Sequence, residues 1–197
     1  MLRLFFAVEI PPAIRADLAR VQARLRAAAG EHGIRWEAAD KFHITLKFLG
    51  ETPETQVHAL HEAATQAASR IAPFSLSLAG IGAFPGLHRP HVLWAGTGEG
   101  FPVLQGLAEY LDQLLTAHGF SPERRRFHAH ITLARARCPS GQAALARVLK
   151  QHTETVDKIG TFQVSCFVLM RSELRPSGSV YTVQEHFTLS PRATGYL

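Results

Sequence analysis

The chain has 197 residues, 46% hydrophobic and 19% charged, with a formal charge of +5, a balance that excludes a disordered chain and suits one domain or two small lobes sharing a core. Its two cysteines, Cys138 and Cys166, supply neither a disulfide framework nor a CxxC zinc site and fit a reducing cytoplasm, and no apolar run approaches the roughly 20 residues of a membrane span. The basic surplus is a weak pointer to polyanions, since many soluble proteins carry as much.

Residues 2 to 9 read as an opening strand, with Glu9 standing where a leader peptide would continue its apolar stretch. Pro11 and Pro12 start a helix in which Ile14, Leu18, Val21 and Leu25 recur at a period of 3.6, and Gly30 and Gly33 end it. Past Trp36 and an Ala-Ala-Asp turn, Lys41 to Leu49 alternate with the period of a half-buried strand. His43, Thr45 and Lys47 share one face, and Phe42, Ile44, Leu46 and Phe48 point the other way, toward a core. Thr52 as cap and Pro53 as first helical residue predict a helix to about Arg70. Residues 74 to 84 and 91 to 97 read as strands joined by the Pro85 to Pro90 loop.

The second half repeats this order. A helix over 102 to 118 places Val103, Leu107, Leu111 and Leu114 on one face. A second histidine strand comes next, 127 to 135, in which His130-Ile-Thr-Leu133 repeats His43-Ile-Thr-Leu46. Pro139 opens another helix, and strands are expected over 160 to 171 and 179 to 189. The duplicated β-α-β-α-β-β order, its second copy borrowing strand 91 to 97, predicts an α+β fold. Two lobes related by a pseudo-twofold axis, each a mostly antiparallel sheet backed by helices, form a single bilobal domain over 1 to 197 around a central cleft.

Two imidazoles with unperturbed pKa near 6.5 can withdraw a proton from an attacking hydroxyl and deliver one to a leaving oxygen, which is phosphoryl transfer without a metal. Thr45 and Thr132 offer uncharged hydroxyls to phosphate oxygens. Arg135 adds charge if the strand bends near Ala134, because in a regular strand it points away from His130. One His-x-Thr in a strand carries little; the duplicate in equivalent positions is hard to obtain from packing alone, since a core would favour apolar residues there. His128 and His130 form an H-x-H pair, but neither histidine strand has Asp, Glu or Cys to complete a metal site. Arg124 to Arg126 is either a solvated loop or a polyanion contact.

The paired strings resemble the two-histidine phosphoesterase superfamily. The opening Arg3-Leu-Phe-Phe-Ala-Val-Glu-Ile-Pro, Gly82-Ala-Phe-Pro, His91-Val-Leu-Trp-Ala-Gly, the run His130 to Arg135, and Arg171-Ser-Glu-Leu with Tyr181 are similar to its RNA 2′,3′-cyclic phosphodiesterase branch. That resemblance implies hydrolysis of a terminal 2′,3′-cyclic phosphate on RNA to a 2′-phosphate, with reversible 2′-5′ joining, no cofactor and no metal. It implies His43 as general acid, His130 as general base, Thr45, Thr132 and Arg135 on the phosphate, and Phe6 near the ribose or base; the acid and base labels are interchangeable at this level. A monomer with an RNA partner and no membrane contact is expected. Two other readings stand beside it: a hydrolase of small cyclic nucleotides or phosphates, and a catalytically silent RNA-binding module.

Overall fold

The computed structural model describes residues 1–152, 158–176 and 178–190. The elements run in the order β1 (Leu2–Glu9), α1 (Pro12–Ala29), β2 (Ile34–Trp36), β3 (His43–Thr52), α2 (Val57–Ala68), β4 (Phe74–Phe84), β5 (Val92–Thr97), α3 (Phe101–Ala117), β6 (His130–Ala136), α4 (Pro139–His152), β7 (Gly160–Val164), β8 (Cys166–Arg175) and β9 (Gly178–Thr188). They build two sheets, β3-β1-β8-β9 and β2-β6-β5-β4-β7, in which every neighbouring pair is antiparallel. None of the helices is long and apolar enough to cross a membrane among the described residues.

The lobes do not coincide with the two halves of the sequence. The segment expected as one strand over 160 to 171 is two: after Val164 the chain leaves β4 and the five-stranded sheet, and from Cys166 it runs as β8 beside β1 in the other. In the opposite direction, β2 leaves the first half to pair with β6. Helices are exchanged too, with α1 against α4 and β7, and α3 against α2 and β3. One apolar core therefore holds Leu4, Phe6 and Ile44 from one sheet together with Leu93, Ile131 and Leu133 from the other.

Three local expectations change for identifiable reasons. Thr52 stays in β3, opposite Leu2, and its hydroxyl donates to the Gly50 carbonyl at 3.3 Å; Pro53, at ψ 141°, stands before a short 3₁₀ turn, and α2 starts at Val57. In α3 the buried face is Leu104, Leu107, Ala108, Leu111 and Leu115, because packing against α2 and β3 turns the helix from the expected line and leaves Val103 exposed. The alternation in β3 also breaks. Pairing with β1 skips Leu46 and again Leu49, so Lys47 turns inward and Phe48 turns out to solvent, the reverse of a regular pleat.

Lys47 is buried at 6% exposure, and its ammonium reaches Asp112 Oδ1 of α3 at 2.5 Å and the Ser121 carbonyl at 2.8 Å. Asp112 also accepts the Glu123 backbone N–H. A strand, a helix and the 121–126 loop are thus fastened by one desolvated charge pair. Removing only the carboxylate strands that charge, so Asp112→Ala is expected to cost about 3–5 kcal/mol in urea unfolding. The Lys47→Met, Asp112→Ala pair is expected to recover a large part of the loss; equal losses would show that the buried ammonium is not the source.

Candidate active site

His43 opens β3 and His130 opens β6, the strands that face each other where the sheets meet. Each ring is fastened alike: Nδ1 of His43 lies 2.7 Å from the Lys41 carbonyl, and Nδ1 of His130 lies 2.8 Å from the His128 carbonyl. A carbonyl can only accept, so Nδ1 carries the hydrogen and Nε2 is left for chemistry. Aromatic rings wall both imidazoles. Phe5 and Tyr181 lie 5.1 and 5.2 Å from the His43 ring, and Phe84 lies 4.9 Å from that of His130.

Burial is the main influence on both groups and pulls each pKa below its ordinary value of 6.5. The carbonyl hydrogen bonds oppose it, and the Arg135 charge reinforces it. The two differ in their other neighbours. The Glu37 carboxylate favours the protonated form of His43, whereas His128 and His43 disfavour protonation of His130. Identical motifs thus sit in unequal fields.

Arg135 joins the cleft through a bulge. Pairing of β5 with β6 runs from Leu93 opposite Ala134 to Trp94 opposite Thr132, skipping Leu133. The extra residue reverses the parity of the positions beyond it, so Arg135 faces the same way as His130 and Thr132. The Leu133 carbonyl accepts from the Glu37 backbone N–H at 2.9 Å and from Gln22 Nε2 at 2.8 Å. Gln22 also donates to the Glu37 carbonyl at 2.7 Å. It lies on the buried face of α1, beside the expected Val21.

The cleft, about 300 Å³, is lined by His43, Thr45, His130, Thr132 and Arg135 together with Phe5, Phe48, Ser172, Ser179 and Tyr181. Among the described residues that line it, Arg3, Arg35, Lys41 and Arg135 set four cations against the single carboxylate of Glu37. Arg35 and Arg135 stand directly opposite each other in the β2–β6 ladder. Like charges so placed repel, and an anion between them relieves the repulsion. Among the described residues no carboxylate forms an ion pair with Arg135. Nor do three His, Cys, Asp or Glu side chains converge there as a metal site would need.

The sequence therefore points to five residues that the fold brings together, and to two that it places elsewhere. Phe6 is fully buried against Phe167 and Phe187 in the main core, away from the cleft; its neighbour Phe5 holds the cleft position. The run Leu4 to Val8 is apolar on both faces, so its alternation could not be read. Lys47, expected beside His43, belongs to the ion pair with Asp112. Arg35 and Glu37 escaped notice because Ile34-Arg-Trp36 is too short a run to mark a strand, and nothing local links it to His43.

Comparison with known proteins agrees with this geometry. The family model described as LigT like Phosphoesterase matches residues 8–94 and 99–181. A protein of Aeropyrum pernix named RNA 2′,3′-cyclic phosphodiesterase is 35% identical over 81% of this chain and 89% of its own length. A crystal structure of a Thermus thermophilus protein superposes with a TM-score of 0.78 at 31% identity, covering 98% of this chain and 100% of the other. The crystal structure of E. coli LigT complexed with 3′-AMP superposes with a TM-score of 0.75 at 29% identity over 95% and 98% of the two chains.

Titration followed by NMR of the imidazoles is expected to give His43 and His130 midpoints below 6.5, with Arg135→Gln moving both upward. The effect on stability has a definite sign. Below about pH 6.5 the unfolded chain binds protons that the folded chain refuses. Stability is thus full above that pH and declines as pH falls toward the folded midpoints. Midpoints above 6.5, or insensitivity to Arg135→Gln, would contradict the electrostatics described.

Proposed function

The chain belongs to the LigT like phosphoesterase family, and from that premise we propose that it opens the 2′,3′-cyclic phosphate at an RNA end to a 2′-phosphate, using His43 as general acid and His130 as general base. The enzyme is an RNA 2′,3′-cyclic phosphodiesterase, the activity for which its relatives are named. The observation that carries the reading is the pair of half-buried imidazoles whose Nδ1 atoms are both held by the backbone carbonyl two residues before them, leaving two Nε2 atoms to one basic cleft. Residues 1 to 197 act as one bilobal domain in this reading, supported by the exchange of strands and helices between sheets. A cytoplasmic location accords with the two free thiols Cys138 and Cys166.

In the reaction, neutral His130 Nε2 takes a proton from water as its oxygen attacks phosphorus in line with the ribose 3′-oxygen. The P–O3′ bond breaks, and protonated His43 Nε2 gives its proton to O3′. The product carries a 2′-phosphate and a 3′-hydroxyl, and proton exchange with solvent resets both rings. The Glu37 carboxylate beside His43 and the basic neighbours of His130 support this assignment of acid and base over its inverse. Thr45, Thr132 and Arg135 stabilise the charge on the non-bridging oxygens, with Arg35 adding a second cation. A ribose 5′-hydroxyl in place of water gives the 2′-5′ joining reaction with the same proton transfers.

No step calls on a metal, so EDTA is expected to leave the rate unchanged; a loss restored by a divalent ion would overturn the two-imidazole mechanism.

His43→Ala and His130→Ala are each expected to lower kcat/KM by about 10²–10⁴, and the double variant to fall short of the product of the two losses, as groups acting in one step do. Chromatography against authentic isomers is expected to show a 2′-phosphate product. A predominant 3′-phosphate would mean that the 2′-oxygen leaves toward the acid, reversing the substrate's orientation while keeping the two-histidine chemistry.

A further inference from the structure

Beyond the catalytic cleft, on the side away from Phe5 and Tyr181, a second groove of about 630 Å³ continues from the same residues. It shares Thr45, Phe48, His130 and Arg135 with the cleft and runs on to Phe84, Phe127, His128, Arg125 and Arg126. The first pocket opens beside His43 and His130, with Phe5 and Tyr181 packed edge to face on its wall, their centroids 5.3 Å apart, and its space is of a size for one terminal nucleotide. The second lies across the reacting centre from it, where a chain leaving that nucleotide would pass.

From this continuity we infer that the groove is a subsite for the nucleotide upstream of the cyclic phosphate in single-stranded RNA. The inference rests on the phosphodiesterase reading and extends it from the terminal nucleotide to the one before it.

Its chemistry fits that occupant. Phe48 is 47% exposed, unusual for a phenylalanine within a strand, because the β3 bulge turns it out of the core. Phe84 and His128 add further aromatic surface, their rings 5.1 Å apart. Unpaired bases stack on such faces without regard to sequence, while neighbouring cations track the phosphates. Arg125 and Arg126 are exposed at the rim. Glu123, the one acid lining the groove, accepts the Arg125 backbone N–H at 3.1 Å and so is turned into its own loop. That loop is fixed from behind by the Lys47–Asp112 pair, which holds Ser121 and Glu123. The arginines thus stand on an anchored wall. A duplex would not present its bases to these rings, whereas a single strand does.

The test compares a hexanucleotide ending in a 2′,3′-cyclic phosphate with the cyclic mononucleotide of the same terminal base, using wild type and the Arg125→Ala, Arg126→Ala double variant. Both side chains are exposed, so the variant is expected to fold normally. The double variant is expected to lose about tenfold or more in kcat/KM on the hexanucleotide, as befits contacts to a stacked, charged strand, while the mononucleotide changes by less than about twofold. The salt dependence of hexanucleotide turnover is expected to weaken as well, since fewer counterions are released. Equal losses on both substrates would mean that the groove holds the terminal nucleotide. No loss on either would mean that it is unused. Either result overturns the inference and leaves the phosphodiesterase reading intact. Binding of a hexanucleotide already ending in a 2′-phosphate, read by fluorescence anisotropy, makes the same comparison without turnover. A weakened complex in the variant upholds the groove even if wild type hydrolyses neither substrate, the outcome that would defeat the phosphodiesterase reading alone.

Discussion

The site depends on one backbone feature used twice, the extra residue that comes after each His-Ile-Thr string. A strand alternates its faces strictly, so without an insertion the residue five positions after each histidine would point into the core. The bulges at Leu46 and Leu133 reverse that parity. In β6 the result is a guanidinium beside the second histidine. In β3 it is an exposed phenylalanine and a lysine driven inward to hold a helix and a loop. A bulge leaves a carbonyl out of the ladder, and that of Leu133 is satisfied by Gln22 and the Glu37 backbone. A buried carbonyl left unpaired would cost about 1–3 kcal/mol, so the glutamine on α1 is part of what keeps Arg135 in the cleft.

Duplication supplies two equal imidazoles, and catalysis needs unequal ones. The inequality comes from residues outside the repeat: Glu37, carried just beyond the short β2, lies near His43, while His128 lies near His130. The symmetric part is equally useful. Both rings donate from Nδ1 to the carbonyl two residues back, just ahead of the strand each histidine opens, which fixes tautomer and orientation with no third side chain. Proton transfer from Nε2 then needs no rearrangement of the ring.

Interlacing of the two lobes explains how such a site stays aligned across a boundary between sheets. Because β8 and β9 return to β1 while β2 crosses to β6, the chain passes back and forth between the sheets, which cannot separate without opening the shared core. The cleft is bordered by residues of both sheets, and the reacting groups stand on strands rather than loops, which favours the close tolerances that acid–base transfer demands. The repulsion between Arg35 and Arg135 is accepted in the same rigid frame, and the proposed phosphate ligand would turn it to advantage.

By itself the sequence determined the α+β class, the repeated order of elements and the placing of His43 with Thr45, and of His130 with Thr132, on like faces of two strands. These come from period and repetition, which are local properties: alternation shows a strand, a duplicated string shows a symmetry mate, and a hydroxyl two residues from a histidine must share its face. Tertiary structure alone decided the rest. Whether Arg135 turns inward depends on a register skip against β5, and whether Phe5 or Phe6 lines the cleft depends on which of two apolar faces lies against the helices. The split at Ser165 depends on two sheets competing for one segment. Most of all, the pairing of Arg35 with Arg135 joins residues distant in the chain, the approach of Glu37 to His43 depends on the path of the turn between β2 and β3, and electrostatic fields depend on distance through space. Equal motifs could therefore be read from the chain, but their unequal roles arise only when the fold gives each histidine different neighbours.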